Sequence, residues 1–246
     1  MSSNNLVQPQ AKDALIVTLN RMGYMLSQPE KYIQAFIDFS PHAPGPVLDI
    51  GAAYGLATLP ALEKGAYVIA NDLDERHLQI LKNKVLSSHL NRLELKSGRM
   101  PNELDFEENS LGAILASRVL SFVLPEELEL SFQKIFKWLK PGGKFFFLGG
   151  TPYMGTFQKF LPVYLNRKAE GYPWPGFIEN ISFCTPERAG DLPGFVHLLD
   201  EEVLLRSLKQ VGFFIEEVGY NAVLGDYPED MKFDGREQIG AIALKK

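Results

Sequence analysis

The sequence predicts a doubly wound α/β fold, in which helices cover both faces of a mostly parallel sheet. Short apolar runs alternate along the chain with segments whose apolar residues recur at helical spacing. The first apolar run leads directly into a loop with two glycines, VLDIGAAYGLATL at residues 47–59. A length of 246 residues and a hydrophobic content of 46% suit one domain with a complete core.

Two helices are predicted before the first strand. Leu15, Leu19 and Met22 recur at helical spacing, and residues 33–37 carry a second apolar stripe. We therefore expect residues 1–45, which begin with the polar stretch MSSNNLVQPQ, to form an N-terminal helical cap.

Seven strands and their connecting helices are predicted after this cap. The strands are expected at residues 47–50, 66–71, 93–95, 114–117, 144–150, 213–220 and 238–244. Helices are expected at residues 54–64, 78–85 and 128–139, and from the capping residue Asp200 to Gly212. The sequence LKPGG ends the third of these helices and releases the chain into the fifth strand.

The glycine loop predicts a nucleotide-like ligand. In a doubly wound sheet this loop lies at the topological switch point, where glycines let the backbone approach a ligand. A dinucleotide fingerprint fails, because its third small position is Leu56. The pattern acidic-x-Gly-x-Gly-x-Gly is met by Asp49, Gly51, Ala53 and Gly55 with one substitution.

Further motifs follow the loop in order. VIANDLDE places Asp72 just past the second strand, where a carboxylate can accept both ribose hydroxyl hydrogens. With LKPGGKFFF and the closing LLRSLKQVGFFIEEVGY, the chain from Pro46 onward resembles the class I S-adenosylmethionine-dependent methyltransferases. The resemblance implies a Rossmann-like, seven-stranded sheet with a C-terminal antiparallel hairpin. It also implies the cofactor S-adenosyl-L-methionine, methyl transfer, and a role for Asp49 at the cofactor's methionine end.

The predicted cofactor residues lie at the carboxyl ends of the strands. They are Asp49, Gly51, Ala53, Gly55, Asp72, Leu73, Met100 and Ser117. Two positions depart from the family pattern. Arg99 stands where a carboxylate usually takes the adenine amino group, so Met100, Asn102 or Glu103 is expected to take over that contact. Gly112 replaces an acidic residue and is interpreted as a tolerated change.

An aromatic-rich insertion, residues 151–198, follows the fifth strand and is expected to determine the substrate. Its aromatic residues are Tyr153, Phe157, Phe160, Tyr164, Tyr172, Trp174, Phe177, Phe183 and Phe195. They could form a lid over an apolar pocket or a small core that only fixes the insertion, and the sequence favours neither. Tyr24 could close the cofactor side of the pocket or simply pack within a helix.

The single domain is thus divided into the cap, a cofactor core at 46–150, the insertion, and a C-terminal part at 199–246.

Catalytic residues are not identified by any motif, because a sulfonium methyl group needs mainly alignment and exclusion of water. His197 is a candidate base, since it ends the insertion where the chain should return to the pocket, whereas the other histidines lie in surface contexts. Arg118 could bind a substrate carboxylate or simply face the solvent, and Ser117 and Ser121 are similarly placed. No residue spacing indicates a metal site or a nucleophile elbow.

The net charge limits the kinds of partner that we expect, and the cysteine content indicates the compartment. A net charge of −5 disfavours nucleic acid, and no apolar run is long enough to span a membrane. The single cysteine, Cys184, fits a reducing compartment such as the cytoplasm. We expect a small-molecule acceptor, with the oligomeric state left open. Two alternatives remain: a protein or RNA methyltransferase, and a cofactor-binding protein that is catalytically silent or depends on a partner.

Overall fold

The computed structural model describes residues 6–246, and its centre is a seven-stranded sheet. The strands are β3 (Val47–Ile50), β4 (Val68–Asp72), β5 (Leu93–Ser97), β6 (Leu111–Ser117), β7 (Leu139–Gly150), β10 (Phe214–Asn221) and β11 (Gln238–Leu244). Their order is β10-β11-β7-β6-β3-β4-β5; β11 pairs antiparallel with both β10 and β7, and the other neighbouring strands pair parallel. The predicted fold class, with its C-terminal antiparallel hairpin, is confirmed.

Helices cover both faces of this sheet. They are α1 (Lys31–Phe39), α2 (Thr58–Glu63), α3 (Glu75–Lys84), α4 (Pro125–Trp138), α5 (Leu161–Ala169) and α6 (Glu201–Val211). Because side chains alternate along a strand, Phe146 of β7 packs in one core with α1, while Phe145 and Phe147 pack in the other with α4 and α6. The predicted cap of α6 is confirmed, since the Asp200 carboxylate accepts the Val203 N–H at 2.9 Å and Gly212 ends the helix with φ +114°.

The prediction of a first helix around Leu15, Leu19 and Met22 is wrong. The chain forms a hairpin there, with strands β1 (Leu15–Val17) and β2 (Tyr24–Leu26) paired antiparallel. Arg21 and Gly23 adopt left-handed backbone angles of φ +53° and +121°, which close a turn and are incompatible with a helix. The second predicted helix exists as α1. Residues 1–5 of the predicted cap lie outside the described part of the chain.

The helix after the glycine loop is shorter than predicted. It begins at Thr58 rather than Tyr54, because Ala53 and Gly55 have φ +46° and +94°. The residues that were predicted to form the first helical turn therefore belong to the loop, in part with left-handed backbone angles.

The insertion contains α5 and a short hairpin of β8 (Phe177–Ile178) and β9 (Val196–His197). Much of it packs against the same core as α1: Tyr153, Phe157, Phe160 and Tyr164 are buried, whereas Tyr172 and Phe183 are exposed. The insertion is thus partly an extension of the main core.

Candidate functional site

The first cleft lies at the carboxyl ends of β3, β4 and β6. Between β3 and β6 the chain order of the sheet reverses, which is the usual position of a ligand in this architecture. The cleft encloses about 1040 Å³ including its open mouth. Its lining includes the predicted residues Asp49, Gly51, Ala53, Asp72, Leu73, Met100, Ser117 and Arg118. Gly55 is the one predicted cofactor residue outside this lining; a Cβ there would meet Leu59 and Leu81.

The glycine loop brings backbone close to the cleft. Gly51 has φ +70°, and a Cβ there would lie 3.0 Å from a methyl group of Val119 in the loop after β6. Ala53 also has a left-handed backbone, and its N–H donates to Oδ2 of Asp72 at 3.0 Å. The Asp72 carboxylate at the end of β4 therefore holds the loop after β3 in place beside the switch point.

Asp72 is the most heavily bonded acidic group of the cleft. Its Oδ1 accepts the Asp74 N–H at 2.9 Å and lies 3.0 Å from Nδ1 of His77. The Leu19 N–H donates to Nε2 of His77 at 3.0 Å, so the proton of a neutral His77 ring is on Nδ1 and is donated to Asp72. Within residues 6–246, Oδ2 accepts only from the Ala53 N–H, so it keeps an acceptor position for a ligand hydroxyl.

His77 corrects a sequence expectation. The sequence suggested a solvated surface histidine, but the side chain is buried and lines the first cleft. It faces inward because its ring bridges the N-terminal hairpin to Asp72, and it packs edge-on against Tyr54 at 5.1 Å between ring centroids.

Asp49 is buried beside the loop. The Thr58 hydroxyl donates to its Oδ2 at 2.7 Å. Burial raises the pKa of Asp49 to about 7; the Thr58 hydrogen bond opposes this shift, and the negative charge of Asp72 adds to it. A carboxyl group in this environment changes its ionisation readily when a cation binds nearby.

Arg99 does not occupy the cleft with a free guanidinium. Its two terminal nitrogens donate to the two carboxylate oxygens of Glu127 at 2.7 Å, while its backbone N–H donates to Glu103 at 2.8 Å. Asn102 also donates to Glu127, and neither Asn102 nor Glu103 lines the first cleft. Met100 is buried and lines the cleft, which leaves it as the candidate for this contact.

Gly112 has a packing role that the sequence did not reveal. A Cβ at this position would lie 2.5 Å from the backbone nitrogen of Gly45. The glycine is therefore required by close backbone approach, and its interpretation as a merely tolerated change is wrong.

A second cleft of about 650 Å³ adjoins the first. It is enclosed by the N-terminal hairpin, the end of β6 and the insertion, and Tyr24, Arg118 and Phe122 line both clefts. Its apolar lining includes Leu15, Met154, Phe157, Ile181, Leu192, Val196, Leu198 and Met231. The insertion residue Asp191 holds the hairpin through the Gly23 N–H at 2.9 Å and the Tyr24 hydroxyl at 3.2 Å.

Arg118 lies at the boundary between the clefts in an unusual conformation. Its backbone is left-handed, with φ +61°, and its N–H donates to the carbonyl of Leu148 at 2.6 Å. Its Nη1 is buried and has no hydrogen-bond partner within residues 6–246. The guanidinium carbon lies 6.0 Å from the ring centroid of Tyr227. Strained backbone and a buried polar atom without a partner are both typical of functional positions.

His197 does not reach either cleft. It is buried between the rings of Trp174 and Phe177, at 5.1 and 5.6 Å between centroids, and lines neither cavity. Burial lowers its pKa to about 4, against a smaller opposing effect of the Val123 backbone. The sequence placed this residue at the pocket mouth because it ends the insertion just before the Asp200 helix, but its ring packs within the insertion. It is not positioned to accept a proton from a ligand.

Two further structural observations concern membrane-spanning helices and metal sites. No helix within residues 6–246 is long and apolar enough to cross a membrane. In the same part of the chain, no group of three or more histidine, cysteine or acidic side chains is arranged to hold a metal ion.

Comparison with known proteins finds a sequence similarity to methyltransferases. Residues 47–143 match the family described as methyltransferase domain. The chain is 30% identical over 102 residues to phosphoethanolamine N-methyltransferase 1 of Triticum aestivum, a match that covers 41% of this chain but only 20% of that relative's length.

Solved structures extend the likeness to most of the chain. An S-adenosylmethionine-dependent methyltransferase from Mesorhizobium loti has a TM-score of 0.61 at 18% identity, covering 86% of this chain and 96% of that one. The glycopeptide N-methyltransferase MtfA, solved with S-adenosyl-L-homocysteine, has a TM-score of 0.56 at 16% identity, covering 87% and 88%. At these identities the likeness concerns the fold.

Proposed function

We propose that the chain is a class I S-adenosylmethionine-dependent methyltransferase that transfers the methyl group of that cofactor to a small-molecule acceptor, a proposal supported by the methyltransferase-domain match over residues 47–143 and by the fold. The observation that carries the proposal is the glycine loop fixed to Asp72 at the switch point, directly beside a second, largely apolar cleft. The cofactor is S-adenosyl-L-methionine, which supplies an activated methyl group on a sulfonium.

The residues of the first cleft fit such a cofactor. Asp72 keeps an acceptor position on Oδ2 for one ribose hydroxyl. Asp49, whose pKa is raised to about 7 mainly by burial, can ionise to pair with a cationic group at the methionine end. Met100 and Leu73 provide apolar surface for the adenine. Gly51, Ala53 and Ser117 would contact the cofactor through the loop and the end of β6.

Two features support catalysis rather than a silent binding protein. Arg99, the most conspicuous departure from the family pattern, is neutralised by Glu127. A second cleft also adjoins the first and could bring an acceptor beside the cofactor. The protein would then act by aligning the acceptor and excluding water.

A small acceptor is favoured over a macromolecule by the shape of the second cleft. It is enclosed between the hairpin and the insertion, which are joined through Asp191. We accordingly assign cofactor binding to residues 46–150, acceptor binding to the insertion at 151–198 together with the hairpin, and sheet closure to 199–246.

Calorimetric titration with S-adenosylmethionine and S-adenosylhomocysteine, with NAD as a control, tests the cofactor assignment. We expect both sulfur compounds to bind at micromolar concentration and NAD not to bind. Failure of both compounds to bind would contradict the proposal.

The ribose contact is best tested with Asp72→Asn, because Asp72→Ala would also release Ala53, Asp74 and His77. The expected loss of binding free energy is about 1–3 kcal/mol, the cost of an unpaired polar group. Asp38→Asn, on the exposed surface of α1, is the matched control. Equal affinity of the Asp72 and Asp38 variants would refute the role of Asp72.

A further inference from the structure

We propose that the methyl acceptor is the carboxylate of an apolar carboxylic acid, which Arg118 holds at the boundary of the two clefts, and that the product is a methyl ester. This proposal rests on the methyltransferase function proposed above. It specifies the acceptor atom and the class of substrate for the second cleft.

The charges of the second cleft favour an anion. The polar side chains that line it are those of Tyr24, Arg118, Ser121, Thr156 and Arg188. No aspartate, glutamate, histidine or lysine is part of this lining in the described chain. The Tyr24 and Thr156 hydroxyls already donate to Asp191 and Asp230. A substrate ammonium group would therefore meet two arginines and no carboxylate in this lining, whereas a substrate carboxylate would meet the guanidinium of Arg118.

The number of uncompensated charges favours a monoanion. Arg188 is already neutralised by Asp230, whose two carboxylate oxygens accept from its guanidinium at 2.7–3.1 Å. Arg118 forms no ion pair within residues 6–246, and Glu30, which accepts the Tyr227 hydroxyl at 2.6 Å, is not bonded to it. One unpaired positive charge in an apolar cleft matches a carboxylate, while a phosphate dianion would keep a buried negative charge uncompensated.

The remainder of the second cleft fits an apolar substrate body. Aliphatic, methionine and phenylalanine side chains from the hairpin, the insertion and Met231 form most of its wall. Because Arg118 also lines the first cleft, an acid whose body fills the second cleft would present its carboxylate toward the cofactor.

The reaction needs no proton transfer. A lone pair of the carboxylate oxygen forms the new bond to the methyl carbon, and the electrons of the broken C–S bond go to sulfur. The products are a neutral ester and S-adenosylhomocysteine. This agrees with a cleft whose described lining contains no base, since a carboxylic acid is already ionised at neutral pH whereas an amine would have to lose a proton.

The test is a methyl-transfer assay with octanoic, decanoic, phenylacetic and indole-3-acetic acids, each paired with the amine and alcohol of the same skeleton. With cofactor labelled in its methyl group, we expect label in a product that releases methanol in mild base. At saturating S-adenosylmethionine, with Asp49 already paired to the bound cofactor, kcat/KM for the acid should stay nearly flat between about pH 6 and pH 8.5, because no group on the acceptor must be deprotonated.

Arg118 variants separate substrate binding from a purely structural role. Arg118→Gln should lower kcat/KM for the acids by about 30-fold or more, as for loss of one partner of a buried charge pair. Arg118→Lys should recover part of this loss, since it keeps the charge without the planar fork. Arg76 on α3 pairs with Asp74 and lines neither cleft. The control variant Arg76→Gln should therefore leave the rate unchanged.

Several results would overturn the proposal. One is a base-stable N- or C-methyl product, and another is the absence of ester from every acid in a preparation that binds S-adenosylmethionine. A third is an Arg118→Gln variant that loses thermal stability but keeps its kcat/KM, which would make Arg118 only a counter-charge near Glu30 and Tyr227. A protein that does not bind the cofactor would instead refute the proposed function itself.

Discussion

Asp49 couples the stability of the fold to pH. Its pKa is raised to about 7 by burial, from an ordinary value of 3.8, so between these limits the folded protein holds a proton that the unfolded chain has lost. The contribution of this residue to the free energy of unfolding therefore decreases as pH rises through that range. The Asn side chain of the variant Asp49→Asn cannot ionise. The free energy of unfolding of this variant, relative to that of the wild type, should therefore be higher at about pH 8 than at about pH 5. Urea unfolding at both pH values measures the difference, and an equal difference at both would contradict the shift.

Gly51 combines a left-handed backbone with a close neighbour. Gly51→Ala should lower the free energy of unfolding by about 1–2 kcal/mol from the backbone alone, with a further loss from contact with Val119. Gly142→Ala is a matched control, because Gly142 has φ +80° but no atom of residues 6–246 within 4 Å of the position that a Cβ would take. Chemical denaturation of both variants compares them. If the two lose the same stability, Val119 does not restrict the loop.

The histidines show what sequence could and could not predict at the residue scale. The acidic and glycine positions of the first cleft follow from local spacing, and most of them do line it. The locations expected of His77 and His197 were each wrong, because burial depends on packing partners distant in sequence. His77 meets Leu19 from the hairpin, and His197 meets Trp174 and Phe177 within the insertion.

At the scale of elements, the insertion has two parts with different expected roles. Trp174 packs on His197 and lines neither cleft, whereas Phe157 lines the second cleft. Trp174→Leu should lower the free energy of unfolding by about 1–3 kcal/mol and leave the KM of the acceptor nearly unchanged. Phe157→Leu should raise that KM. Urea unfolding and initial rates measure the two quantities, and a raised KM in the Trp174 variant would place the acceptor against β8 and β9 instead.

Element prediction succeeded where local signals agree and failed where they conflict. Apolar runs between turn residues located all seven strands of the main sheet, and Asp200 and Gly212 defined α6. The N-terminal hairpin was missed because the apolar residues of its strands and turn coincide with helical spacing. Its left-handed Arg21 also gives no sequence signal, since arginine rarely adopts that conformation.

For the whole molecule, ligand binding should produce thermal stabilisation. At a cofactor concentration about 100 times its Kd, binding to the folded state alone adds about 2.7 kcal/mol. In a chain of 246 residues this corresponds to a rise in Tm of about 5–10 °C. Differential scanning calorimetry with S-adenosylhomocysteine measures the shift. NAD at the same concentration is the control, and an equal shift with NAD would argue against a cofactor-specific site.

The two clefts differ in how far sequence could locate them. The first lies at the switch point of the sheet, and strand order alone places it there. The second assembles Leu15, Arg118, Arg188 and Met231 from four separated parts of the chain. No local pattern contains this arrangement, so only the folded structure reveals that an apolar chamber adjoins the first cleft.

The N-terminal hairpin has a consequence for the kinetic order of the reaction. It contacts His77 at the first cleft through Leu19 and the insertion through Asp191, and Tyr24 lines both clefts. An acceptor packed against Tyr24 would keep the hairpin closed over a bound cofactor. We therefore expect an ordered sequence, in which the cofactor enters first and its demethylated product leaves last. Product inhibition by S-adenosylhomocysteine should then be competitive against S-adenosylmethionine and noncompetitive against the acceptor, and a random pattern would mean that the hairpin opens independently of the second cleft.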